Sequence, residues 1–199
     1  MAITIARAAR PSWRTGVPFP ERSIRQCGRR IQGSAFYGHI VRVPEMLAVL
    51  DEFESAAIPY WVAGGFGIAI LVGRVTREHR DLDLLVRHVD LDRSTGLLAS
   101  RGYVVETDCL PVCIELVAEN VGRADLHPLV FGPDGSALQA GLDGDSFYYA
   151  PDVFTSGILD GRNIPCLSES RQREFRQGYE FRSQDIHDLA SLDALYGSP

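Results

Sequence analysis

The sequence contains no lysine; all 20 of its basic residues are arginine. That absence excludes a P-loop nucleotide hydrolase, whose phosphate-binding lysine is indispensable. It excludes Schiff-base chemistry for the same reason. No apolar run approaches the roughly 20 residues that a membrane helix needs, so no membrane segment is expected. The four cysteines, Cys27, Cys109, Cys113 and Cys166, form no C-x-x-C pair and have no His-x-x-x-His partner, which argues against zinc. With no secretory signal, free thiols in a reducing, cytoplasmic compartment are the expectation. No G-x-G-x-x-G follows the first apolar strand, and no G-x-S-x-G occurs, so neither a dinucleotide fold nor a nucleophile elbow is supported. The formal charge of −6 argues against a nucleic-acid partner.

What is present fits one domain within 199 residues. Residues 1–40 stand apart. They carry seven arginines, a single acidic residue (Glu21) and three prolines, with no sustained periodicity. A transit peptide has a similar composition. The expected reading is a disordered basic extension or translated upstream sequence, because nothing there can bury a core. The domain proper is expected over 43–196.

Its elements follow from apolar spacing. Met46, Leu47, Leu50 and Phe53 mark a helix from Val43, with Pro44 in its first turn. Tyr60 to Ala63 reads as a strand, Phe66 to Val72 as a short helix, and Asp81 to Val86 as a strand. A helix over Leu91 to Ser100 follows, then strands over Tyr103 to Thr107, Cys113 to Ala118 and Asp125 to Phe131. Residues 135–152 read as a loop with one short strand near Phe147. A hairpin around Asp160-Gly161 and two helices complete the chain, the last with Ile186, Leu189, Leu192 and Leu195 inward. This order predicts an α+β fold: a small mixed sheet with helices packed on it, and C-terminal helices.

The chemistry is concentrated between Tyr60 and Val86. Gly64-Gly65 stands at a strand-to-helix turn, where glycine lets backbone N–H groups approach a phosphate and the helix N-terminus favours anions. Asp81 and Asp83 alternate with Leu82 and Leu84, so both carboxylates share one face of a strand. A lone pair of this kind is commonly only a solvated strand face. Beside a Gly-Gly turn and a basic spacer, it suits a hard divalent cation. Asp125, at the start of a later strand, would join the pair if the two strands are neighbours. Three such carboxylates suit two Mg²⁺ ions acting on a phosphate. Arg77, His79 and Arg80, just upstream, are placed to meet a triphosphate.

A Gly-Gly turn, a spacer, a D-h-D pair and a later single carboxylate resemble the polymerase-beta-like nucleotidyltransferase superfamily. The segment Gly73 to Asp83 is similar to its antibiotic-modifying branch, both aminoglycoside 2''-adenylyltransferases and small lincosamide nucleotidyltransferases. The blocks Asp125-Leu126-His127-Pro128-Leu129, Asp134-Gly135-Ser136, Arg162 to Ser168, Gly178-Tyr179 and Asp185-Ile186-His187-Asp188-Leu189 resemble the lincosamide enzymes. The resemblance implies a polymerase-beta-like fold and transfer of AMP from ATP or another NTP to a hydroxylated small molecule, a lincosamide above all. It implies metal binding by Asp81 and Asp83, metal binding or general-base duty for Asp125, and nucleotide contact at Gly64 and Gly65. Phe66, Ala69 and Leu85 depart from the pattern, which usually has Trp at the first position and acidic residues at the other two. The loss of acid at Ala69 and Leu85 favours a neutral or singly charged acceptor over a polycation.

Other residues carry weaker expectations. Tyr148 and Tyr149 are candidate stacking surfaces for the acceptor or simply cover the sheet. Glu115 either lines the pocket or faces solvent. His127 is read as a hydrogen-bonded strand histidine, and His187 as a surface residue. The oligomeric state is left open, with a homodimer as one alternative. Two other functions compete: a toxin-like nucleotidyltransferase acting on tRNA or protein, and a non-catalytic binding protein of the same fold.

Overall fold

The structure of the chain, a computed structural model, describes residues 39–177 and 180–198, with Asp143 in its backbone only. Almost all of the basic extension, and the Gly178-Tyr179 block, lie outside the described residues. Helix α1 (Val43–Ser55) carries Pro44 in its first turn and buries Met46, Val49, Leu50 and Phe53. Strand β1 (Tyr60–Val62) leads directly into α2 (Gly64–Val72), which Gly73 ends in a left-handed cap. Strand β2 (Asp81–Arg87) and α3 (Leu91–Ser100) follow. Then come β3 (Val104–Cys109), β4 (Cys113–Ala118), β5 (Gly122–Phe131), β6 (Ala137–Ala140) and β7 (Ser146–Tyr149). The chain closes with β8 (Phe154–Leu159), β9 (Arg162–Leu167), α4 (Glu169–Glu174) and α5 (Ser183–Tyr196).

Seven strands run in the order β3-β4-β5-β2-β1-β9-β8, and the β6–β7 hairpin extends from the far end of β5. The sheet is mixed: β2 pairs parallel with β5 and β1 with β9, while the other pairs are antiparallel. The α+β architecture expected from element order is the one observed.

Strand alternation sends side chains to two cores. Leu82, Leu84 and Val86 of β2 join Ile114, Leu116 and Leu126 under α1, α2 and α3 in the larger one. Leu85, Leu129, Ala137 and Tyr149 form the smaller one on the opposite face, with Trp61, Phe131, Phe154 and Phe175 against it. The apolar run of α2 is explained by its position: it packs on the sheet, and Phe66 to Ile70 are all buried.

The structure corrects several expectations. Strand β5 begins at Gly122, so Asp125 sits within the strand rather than at its start. Residues 137–140 form a strand; Ala-Leu-Gln-Ala has no β-branched residue to announce it. In α5 the inward residues are Asp185, Asp188 and Leu192, while Ile186 and Leu195 are exposed. Asp188 receives Arg77 and Arg176, and Asp185 receives Arg182 at the start of the same helix. Ala69 and Leu85 are each buried in a core, so neither lines an acceptor pocket. Tyr149 is also fully buried, and only Tyr148 is partly open. Neighbouring strand residues face opposite ways, so the pair was never a joint stacking surface. Cys113 and Cys166 are free thiols as expected, but Cys109 is disulfide-bonded, which no spacing rule announced. Among the described residues, no helix is long and apolar enough to cross a membrane.

Candidate active site

The site lies where the β1–α2 turn meets the face of β2 and β5. Parallel pairing puts Asp83 opposite Asp125 and Asp81 opposite Arg123. Residues paired in register on adjacent strands point to the same face. Asp81, Asp83 and Asp125 therefore share it, as expected. Strand β4 adds Glu115, which pairs with Asp125 from the other side. Three carboxyl-bearing residues thus form one row across β2, β5 and β4, and Asp81 stands one step along. Among the described residues, no three acidic, His or Cys side chains are drawn together as a closed metal cage. The carboxylates instead lie open along the sheet. Mg²⁺ typically takes only one or two carboxylates and completes its shell with water and substrate phosphates, so an open row suits it.

The two glycines are placed by close approach. Gly64 has φ +59°, and a Cβ there would lie 1.9 Å from Asp83 Oδ2. A Cβ on Gly65 would lie 2.3 Å from His79 Nδ1 and 2.6 Å from an Arg77 guanidinium nitrogen. Only glycine fits either position. The start of α2 has no side-chain cap, which leaves its first N–H groups for an anion. The expected nucleotide-binding residues Gly64, Gly65, Arg77 and His79 are thus brought together against Asp83.

Within that group the side chains differ in access. His79 is buried under the turn, its ring 4.4 Å from that of Phe66, and neither ring nitrogen has a partner. Burial, then the nearby Arg77 charge, pushes its pKa down to about 4. His79 is therefore a neutral support for the turn and does not present its ring to a triphosphate. Arg77 is one-fifth exposed and forms a two-pronged salt bridge with Asp188 of α5. Asp188 also receives Arg176, at 2.9 Å. The C-terminal helix is thereby tied to the Gly-Gly turn.

The carboxylates lie close enough to shift one another's acidity. Asp125 Oδ1 is buried and lacks a hydrogen-bond partner. Burial and then the Asp83 charge push the Asp125 carboxyl up to about 8. Asp81 is raised as well, by desolvation first and by Asp83 second. A buried, unpartnered carboxylate oxygen beside two more carboxylates is the donor set expected of a divalent-cation site. The three residues fit such an ion.

His127, two residues past Asp125 on the same face, bonds Asp83 Oδ1 through Nε2 at 3.3 Å. Burial alone would lower its pKa, but the Asp83 bond and the charges of Asp83, Asp125 and Glu115 outweigh that and raise it. Its other nitrogen faces Gln139 at 3.3 Å. The reading of His127 as a hydrogen-bonded strand histidine is correct. Sequence reading did not single out Gln139 or Asp188 as parts of the site; the one signal was the position of Asp188 in the block Asp185 to Leu189 that resembles the lincosamide enzymes.

Comparisons with known proteins identify the family. The sequence model of the aminoglycoside-2''-adenylyltransferase family matches residues 45–192. A lincosamide resistance protein of Staphylococcus haemolyticus is 33% identical over 151 residues, 76% of this chain and 94% of that one. A 2''-aminoglycoside nucleotidyltransferase of Klebsiella pneumoniae is 26% identical over 144 residues, 65% of this chain and 67% of the other. The lincomycin-bound crystal structure of a lincosamide antibiotic adenylyltransferase aligns with a TM-score of 0.74 at 32% identity, covering 79% of this chain and 99% of that one. The chain belongs to this family of antibiotic nucleotidyltransferases and is an adenylyltransferase.

Proposed function

We propose that the protein transfers AMP from Mg-ATP to a hydroxyl of a lincosamide-like antibiotic. The observation that carries the reading is the in-register pair Asp83 and Asp125, on one face beside the Gly64-Gly65 turn. In this reading Asp81 and Asp83 hold a divalent cation, with Asp125 beside them, and a pair of Mg²⁺ ions suits the three carboxylates. When bound, the metal neutralises the triphosphate and stabilises the departing pyrophosphate. The N–H groups at the start of α2 receive phosphate oxygens. Arg77, held by Asp188 against Gly65, adds positive charge behind them.

Asp125 serves as the base. It takes the proton of the acceptor hydroxyl, the freed oxygen bonds to the α-phosphorus, and the bond to pyrophosphate breaks. Without a cation the Asp125 carboxyl is pushed up to about 8 by burial and the Asp83 charge; a cation held beside it would favour the charged form from which a base must start. Glu115, on the far side of Asp125, borders the space for the acceptor. A cytoplasmic location suits the need for ATP.

The acceptor is proposed from the likeness to the lincosamide enzymes, which is stronger in identity and in coverage than the likeness to the aminoglycoside enzymes. Ala69 and Leu85 are buried, so the lack of acid at those positions does not bear on the charge of the acceptor. The test is incubation of the purified protein with Mg-ATP and lincomycin, clindamycin, kanamycin or tobramycin, read by product mass. An added AMP on the lincosamides is the expected result. Modification of the aminoglycosides alone would reverse the acceptor and keep the chemistry. With labelled ATP, label found only on added tRNA or protein would overturn the small-molecule reading.

A further inference from the structure

The reaction just described leaves Arg123 unused, although it stands on the same face as the aspartates. It pairs in register with Asp81 of β2 on one side and with Val117 of β4 on the other. Its guanidinium reaches Glu106 of β3, with Nη2 at 2.5 Å from the carboxylate. Strand β4 separates β5 from β3, a span of about 10 Å at the usual strand spacing. The side chain therefore crosses β4 at Val117, which is 2% exposed. Glu106 meets it from a bulge, where the β3–β4 register shifts between Val105 and Thr107. An extra residue of this kind re-aims a side chain. The Arg123 side chain keeps 26% of its surface open and Glu106 only 7%, so the positive end of the pair is the one presented to the cleft.

Position relates this guanidinium to one of the two substrates. The Gly64-Gly65 turn follows β1, on the far side of β2, and Arg123 reaches the other way, over β4. In-line displacement puts the attacking hydroxyl opposite the departing pyrophosphate. With the pyrophosphate at the turn, the acceptor lies over β5 and β4, where Glu115 and Arg123 stand. Asp125, Glu115 and Glu106 alone would give that wall an acidic character suited to a polycation. Arg123 adds a positive charge to it. A guanidinium has five N–H donors, more than one bridge consumes, so donors remain for an acceptor's hydroxyl or carbonyl oxygen.

We propose that Arg123, held across β4 by Glu106, is a specificity-determining residue of the acceptor site: it donates to the oxygens of a neutral or singly charged acceptor and repels a polycation. The inference rests on the proposed transfer to an acceptor hydroxyl, and it names the group that selects a lincosamide-like acceptor over an aminoglycoside. Selectivity of this kind needs an element unfavourable to the wrong partner as well as one favourable to the right one, and a single guanidinium supplies both.

The test measures equilibrium binding of lincomycin and of tobramycin to the full chain by calorimetry. Mg²⁺ and a non-hydrolysable ATP analogue are present, so that the aspartate row is occupied. Arg123→Gln shifts the local charge by one unit toward negative. Tobramycin affinity is expected to rise by about 10-fold, and lincomycin affinity to fall by about 3-fold with the lost hydrogen bonds. The tobramycin gain should shrink in about 1 M salt, where the Debye length is about 3 Å. Arg123→Lys keeps the charge and should still exclude tobramycin. Glu106→Gln combined with Arg123→Gln returns the local charge to its original balance and should exclude it again. An unchanged ratio of lincomycin to tobramycin affinity in Arg123→Gln would overturn the proposal. So would a loss confined to the ATP analogue, since the guanidinium would then face the phosphates. If Arg123→Gln fails to fold, Arg123→Met keeps the apolar stem over Val117, removes the charge, and is held to the same two outcomes. Failure of the acceptor reading is seen separately: wild type that adenylylates no lincosamide sinks that reading, while the tobramycin response to loss of the Arg123 charge still decides this one.

Discussion

Arg77 and Asp188, 111 residues apart, meet in a two-pronged salt bridge with both contacts at 2.8 Å. The Asp188 side chain is 1% exposed and also receives Arg176, which is 8% exposed. One carboxylate therefore bridges two guanidiniums at the junction of α5 with the Gly-Gly turn. Asp188→Asn removes the partner of Arg77 and leaves Arg176 only Asp185, at 3.9 Å, and breaking a buried pair in this way costs about 3–5 kcal/mol. Thermal denaturation is expected to show a Tm lower by about 10 °C. The double variant Arg77→Leu with Asp188→Leu should lose less than the sum of its parts. Additive losses would show that the two residues act independently.

That junction illustrates which features were legible in the sequence. The face shared by Asp81 and Asp83 followed from strand alternation, and Asp125 joined them because β2 and β5 are parallel neighbours. The Gly-Gly turn was legible from its place between a strand and a helix. The inward face of α5 was not. Apolar spacing put Ile186 and Leu195 inside, whereas Asp188 occupies that place because Arg77 and Arg176 come to meet it, and Asp185 because it caps the helix start against Arg182. No local pattern announces a partner as far away in the chain as Arg77. His79 was expected at the phosphates because it is polar and precedes the carboxylates; its burial depends on Phe66 and Gly65 closing over it. Gln139 lay in a segment with no strand signal, so neither its strand nor its contact was visible.

Asp125 makes stability depend on pH in the metal-free protein. Its folded-state pKa of about 8 stands above the ordinary carboxyl value of 3.8, so the folded state favours the protonated form. That contribution is fully present below about pH 4 and is lost as pH rises toward about 8. Each tenfold change in proton affinity corresponds to about 1.4 kcal/mol, so even a fraction of the displacement gives a measurable slope. Chemical denaturation of the metal-free wild type at several pH values should show a falling contribution across this window that Asp125→Asn lacks. Added Mg²⁺ should flatten it, because a bound cation favours the charged carboxylate. Identical pH profiles for wild type and Asp125→Asn would contradict the assignment.

Residues 1–40, with their seven arginines and single acid, are proposed to contribute nothing to the reaction. Deletion of that stretch should leave turnover and cooperative unfolding unchanged. A large fall in Tm on truncation, measured by calorimetry, would show instead that the extension packs on the domain.

In the proposed reaction the aspartate row on β2 and β5 drives metal-dependent nucleotidyl transfer. Asp83→Asn keeps the shape of the side chain and removes its charge. Turnover with Mg-ATP and lincomycin, read as adenylylated product by mass, is expected to fall by about 100-fold or more. Without metal, Tm should hold or rise slightly, since the repulsion with Asp81 and Asp125 is relieved. Product formation at the wild-type rate by a folded Asp83→Asn variant would contradict the account.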